Sequence, residues 1–112
     1  MKIRKDGNRL FVSNVPNILE VLKEMLENQE FKVYTSTVDV NEITAMRKCP
    51  KGRLHCFIKK HKNSTSIKIH QDISYHGLHR TPLISKRAER AIKNIQIGLE
   101  VLFDKELKIE QS

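Results

Sequence analysis

The chain has no tryptophan, two tyrosines and four phenylalanines in its 112 residues. Aliphatic side chains must therefore fill most of its core. Cysteine is as scarce. Cys49 and Cys56 stand seven positions apart, which is not a zinc-knuckle spacing. Two thiols suit a reducing compartment, where they stay free. No apolar run approaches the roughly eighteen residues that a membrane span needs. Met1-Lys2-Ile3-Arg4-Lys5-Asp6 lacks the apolar core of a secretory signal, so the expected location is cytoplasmic, with no membrane partner. A P-loop, a G-x-G-x-x-G turn, a nucleophile elbow and a CxxC pair are all missing. So are the RNP sequences of an RNA-recognition motif and a KH-type G-x-x-G loop. These absences argue against the common nucleotide-binding and Ser-hydrolase signatures.

What the chain has is positive charge in one place. Its formal net charge is +8. Residues 47–93 hold 13 Lys and Arg against 2 Asp and Glu, and all five histidines. The flanks, 1–46 and 94–112, are mildly acidic. Charge concentrated in this way repels itself unless an anion sits nearby, which points to nucleic acid or another phosphate-bearing partner.

At this length a single domain, residues 1–112, is expected. Lys5-Asp6-Gly7-Asn8 reads as a hairpin turn between strands near Met1–Arg4 and Arg9–Val12. A helix follows, capped by Ser13 or Asn14 with Pro16 in its first turn. Its apolar stripe is Ile18, Leu19, Leu22, Met25 and Leu26, with Glu20, Glu24 and Glu27 opposite. Phe31–Val38 reads as a strand. Asp39 and Glu42 have the spacing of a capping box, predicting a short helix with Val40, Ile43 and Met46 on its buried side.

Period-two patterning dominates the next segment. Leu54, Cys56 and Ile58 alternate with His55, Phe57 and Lys59; Ile67, Ile69 and Ile73 alternate with Lys68, His70 and Asp72. Both halves are half-buried strands. A two-residue turn at Asn63-Ser64 would set His55 against Asp72, Phe57 against His70 and Lys59 against Lys68. That places His55, His70 and Asp72 on one open face. Tyr75–Thr81 then reads as a loop. Thr81 and Pro82 would start a long helix with Ala88, Ala91, Ile92, Ile95, Leu99 and Leu102 on its buried stripe, ending near Leu107. The expected fold is α+β: a small, mainly antiparallel sheet, two short-to-medium helices and a long C-terminal helix packed on one face.

Three features could carry chemistry. Lys86, Arg87 and Arg90, with Arg80 just before them, sit at the start of the last helix, where the macrodipole disfavours cations. A phosphate bound there would account for them. Lys86, Arg90 and Lys93 also share one helix face, a row suited to a nucleic-acid backbone. Second, His70, Asp72, His76 and His79, with His55 approaching across the hairpin, are the catalytic candidates. They could hold a divalent metal that activates water, or act as a metal-free acid–base pair. Third, Lys59, Lys60, His61, Lys62 and Lys68 surround the hairpin tip, with Phe57 and Tyr75 as aromatic faces; such interleaving suits single strands.

The expected function is that of a small basic nucleic-acid-binding protein, favouring RNA or single-stranded DNA. Lys59, Lys60, Lys62, Lys68, Arg80, Lys86, Arg87, Arg90 and Lys93 would be its phosphate contacts. No cofactor is required in this reading. One alternative is a small nuclease or phosphoesterase using His70, Asp72 and His76 or His79, with or without a divalent metal. Another is a non-enzymatic viral or plasmid interaction module that binds an acidic protein.

Overall fold

The computed structural model describes residues 2–36, 38–50, 52–75, 79–83 and 85–111, with side chains for 2–36, 38–50, 52–72 and 85–103. Seven strands form one antiparallel sheet: β1 (Ile3–Asp6), β2 (Arg9–Ser13), β3 (Lys32–Thr35), β4 (Glu42–Cys49), β5 (Gly52–Lys60), β6 (Ser64–Tyr75) and β7 (His79–Leu83). Two helices, α1 (Ile18–Asn28) and α2 (Lys86–Gln111), complete the described residues. The class is α+β. The strand order is β1-β2-β6-β5-β4-β3, and β7 pairs with β6. One edge of the long β6 is taken by β5. The other is shared, with β2 on Ser64–Lys68 and β7 on Gln71–Tyr75. Asn8 closes the gap between them: its backbone carbonyl accepts from the Ile69 N–H at 3.1 Å, and its buried side-chain amide donates to the Ile69 carbonyl at 2.8 Å. Gly7 makes the adjoining two-residue turn with φ +60°, a conformation open to glycine at little cost.

Alternation along the strands divides the sheet into two faces. Leu10, Val12, Ile43, Ala45, Leu54, Cys56, Ile58, Ile67 and Ile69 are buried on one of them. Ile18, Leu22 and Leu26 of α1 and Ala88, Ala91, Ile92, Ile95 and Leu99 of α2 belong to the same apolar cluster. Burying each Leu or Ile side chain contributes about 1.5–3 kcal/mol, which makes this aliphatic cluster the main support of the fold.

The sequence-based boundaries need several corrections. The segment expected as a helix over 39–46 is the end of a turn followed by β4, so the described residues hold two helices rather than three. Asp39 does cap a backbone N–H, that of Asn41 at 2.9 Å, but the bond closes a turn. Val40 is exposed, while Ile43 and Ala45 are buried with period two and pair with Ile58 and Cys56. Pairing with β5 outweighs the local helical signal. Neither Ser13 nor Asn14 caps α1. Asn17 precedes the helix in a left-handed conformation with no side-chain cap bond. At the other end Glu30 is left-handed (φ 68°), and the Glu30 and Phe31 N–H groups bond back to Glu27 and Leu26, a Schellman motif. Arg47 donates to the Gln29 carbonyl at 2.8 Å while its guanidinium lies over the Phe31 ring.

The β5–β6 register is offset by two residues from the expected one: His55 faces His70, Phe57 faces Lys68 and Lys59 faces Ser66. The turn sits one residue earlier, on Lys62-Asn63, closed by the His61 N–H donating to the Ser64 carbonyl at 2.8 Å, and Asn14 holds it there. Its amide donates to the His61 and Lys62 carbonyls, and its side-chain oxygen accepts from the buried Thr65 hydroxyl at 2.6 Å. An even offset leaves every side chain on its original face. Finally, Thr81 and Pro82 lie in β7, an edge strand that tolerates proline, and do not start a helix. Ser85 caps α2 instead, accepting from the Ala88 N–H at 3.1 Å.

Candidate functional site

The open face is built in rows that run across the strands. Arg4, Phe11, Ser66, Lys59 and Glu42 form one row. The next holds Asp6, Arg9, Lys68, Phe57, Thr44 and Tyr34. Then come His70, His55, Met46 and Lys32, and last Asp72, Arg53 and Lys48. Each row is two residues, roughly 7 Å, from its neighbour.

Two sites share this face and meet at Phe57. The first is a groove of about 430 Å³ whose lining includes Arg9, Phe11, Phe57, Lys59, His61 and Lys68. Phe57 is 39% exposed, enough to offer a ring face to a planar ligand. The Arg4 guanidinium lies 4.5 Å from the Phe11 ring centre. Lys59 is partly neutralised by Glu42, with Nζ and Oε1 3.2 Å apart; both are exposed, so the pair is weak.

The second is a cluster on the central strands β5 and β6. His70 Nε2 lies 2.9 Å from Asp72 Oδ1. His55 Nδ1 lies 3.6 Å from Asp72 Oδ2, and Arg53 Nε donates to the same oxygen at 3.5 Å. The side chains of His70 and Asp72 are each only 13% exposed. The Phe57 ring centre is 4.1 Å from that of His55 and 5.4 Å from that of His70, and Phe57 stacks on His70. His55 is held below its ordinary pKa of 6.5, first by desolvation and then by the charges of His70 and Arg53; the Asp72 carboxylate opposes this and does not overcome it. His55 is therefore mostly neutral at pH 7. Arranged in this way, the cluster can hold a proton between imidazole and carboxylate or present nitrogen and oxygen lone pairs to a cation.

Of the sequence-derived site residues, His70 and Asp72 come together, and His55 joins them. His76 lies outside the described residues. His79 pairs with Tyr75 and Arg80 with Ser74 in the backbone ladder, and their side chains lie outside the described set. Arg80 is thus in a strand, separated from the start of α2. Lys59 and Lys68 line the groove. Lys60 and Lys62 are at the hairpin end, and Lys60 donates its backbone N–H to Asn41. Lys86, Arg87, Arg90 and Lys93 are exposed on α2, whose buried residues join the cluster beneath the other face. Of the cations expected at the start of the last helix, Lys86, Arg87 and Arg90 are on α2 and Arg80 is on β7. Sequence reasoning missed Arg9, Phe11 and Arg53. Arg53 has the same parity as His55 and was open to discovery. Arg9 and Phe11 alternate with buried Leu10 and Val12, but only the pairing of β2 with β6 brings them beside Lys68. Cys56 is free and buried, and burial pushes its thiol pKa up, so it is no nucleophile.

No protein-family model, curated protein or solved structure matches the chain. No helix among the described residues is long and apolar enough to cross a membrane.

Proposed function

We propose that this protein is a small cytoplasmic nucleic-acid-binding protein that takes single-stranded RNA or DNA on the open face of its sheet. The observation that carries this reading is the groove in which Phe11 and the exposed Phe57 stand among Arg9, Lys59 and Lys68. Bases of any identity stack on aromatic rings, while neighbouring cations take the phosphates. Duplex fits less well, because its bases are already stacked and cannot reach the rings. In this reading both helices cover the inner face, and the outer face is left for the ligand. The free thiols suit a reducing compartment.

Fluorescence anisotropy with labelled single-stranded RNA, single-stranded DNA and duplex tests it. Affinity should fall steeply with salt, by a logarithmic slope of about 0.7 per phosphate contact on a single strand. Lys68→Ala should lower that slope by about one contact. Absence of binding at low salt, or a stronger grip on duplex, ends the reading.

A second reading is favoured by the cluster beside the groove: a small phosphoesterase in which His70 and Asp72, with His55, act on a strand held by the cations. In it, His70→Ala abolishes turnover and leaves strand affinity nearly unchanged. A strand that is bound and never cleaved removes this reading and leaves the first intact.

A further inference from the structure

We propose that His55, His70 and Asp72 form a binding site for one divalent transition-metal ion of the zinc class, with two imidazole nitrogens and one carboxylate oxygen as protein ligands. One ligand atom from each residue lies within 4.8 Å of the others. Ligands at about 2.0–2.2 Å from a shared tetrahedral ion stand roughly 3.2–3.6 Å apart, so small side-chain rotations complete the site. One separation, 2.9 Å from His70 Nε2 to Asp72 Oδ1, already falls close to that range, and His55 Nδ1 stands 3.6 Å from the other oxygen of the same carboxylate, Oδ2.

The scaffold favours such a site. His55 and His70 face each other on β5 and β6, and Asp72 follows His70 on the same face. Both strands are central, with paired neighbours on either side, so the three backbone positions are held before any ion arrives. Phe57 packs against both imidazole rings and limits their rotation.

Arg53 is the charge that counts against an ion. Its guanidinium contacts Asp72 Oδ2, whereas His70 contacts Oδ1. A carboxylate steadied through one oxygen by an outer partner ligates through the other, as outer-shell groups do in metal sites generally. The donor set also selects the metal. Two nitrogens and one oxygen suit Zn²⁺, Fe²⁺ or Ni²⁺, while Mg²⁺ and Ca²⁺ prefer oxygen alone. Cys56 is buried on the opposite face, so thiolate does not compete for this place. Three protein ligands leave a position for water or a phosphate oxygen.

The test is Co²⁺ titration of the full chain, read by its visible ligand-field bands, followed by Zn²⁺ competition and by elemental analysis after dialysis. No nucleic acid is present, so failure here says nothing about strand binding, and failure of strand binding says nothing here. The expected result is one equivalent per chain, displaced by Zn²⁺ and retained in His61→Gln. Uptake should weaken at least tenfold in His70→Gln and Asp72→Asn whose far-ultraviolet dichroism matches the parent; His55→Gln serves if either fails to fold. Absence of saturable uptake by the parent chain overturns the proposal. So does undiminished uptake in the folded cluster variants, or loss of uptake in His61→Gln.

Discussion

The two faces of β5 and β6 alternate residue by residue and obey different rules. Inward, Leu54, Cys56, Ile58, Ile67 and Ile69 form an apolar set that is fully or nearly buried, flanked on β6 by the buried polar Thr65 and Gln71. Outward, Arg53, His55, Phe57, Lys59, Ser66, Lys68, His70 and Asp72 present cations, imidazoles, a carboxylate and one ring. The inward set makes the fold through non-directional burial, which tolerates many sequences of similar volume. The outward set makes specific pairs with distances and directions. In the proposed function, stability and binding reside on opposite sides of the same two strands, and substitutions should separate them.

The largest expected effect is inward. Ile69→Ala removes a fully buried side chain and should destabilise the fold by about 2–5 kcal/mol, measured by urea unfolding. Where the variant remains folded, its strand affinity should match that of the parent. A loss of affinity in the folded fraction would break the separation. Phe57→Ala is the outward counterpart. It should weaken single-strand binding by about 1–3 kcal/mol in anisotropy titrations. Its urea midpoint should move much less than that of Ile69→Ala, because the ring is partly exposed.

A smaller effect sharpens the comparison from outside both faces. Glu30→Gly relieves a left-handed backbone at the end of α1 and should stabilise by a few tenths to about 1 kcal/mol, without changing strand affinity. The smallest effect expected is that of pH on stability. The folded pKa of His55 lies below 6.5. Between the two values the unfolded chain binds more protons, so acid favours unfolding. The contribution is fully present above pH 6.5 and is lost as pH falls through the folded value. His55→Gln should flatten that decline in unfolding free energy. An equally steep decline in the variant would assign it to other groups.

Much of the site was legible because side-chain parity is local. Alternation alone put His55, His70 and Asp72 on one face, and a register error of two residues left them there. The same error hid which histidine faces which, because the position of the turn is held by Asn14, some fifty positions away in sequence from Thr65. Residues 39–46 were misread for a related reason. Asp39, Glu42, Ile43 and Met46 suit a helix, and Ile43 and Ala45 suit a strand. The decision belongs to β5, which pairs with the whole of β4.

By itself, the amino-acid sequence determined the α+β class, the apolar stripe of α1, the inward and outward sides of β5 and β6, and the basic, histidine-rich middle. Each of these follows from periodicity or composition within a short window. Tertiary structure alone decided the strand order that brings Arg9 and Phe11 beside Lys68 and Phe57. It also fixed the convergence of Arg53, His55 and His70 on one carboxylate, and the place of Arg80 in β7 rather than at the start of α2. Those outcomes depend on which distant strands pair and in what register, and backbone hydrogen bonds are the same for every sequence. Only the joint fit of the whole core selects among such pairings.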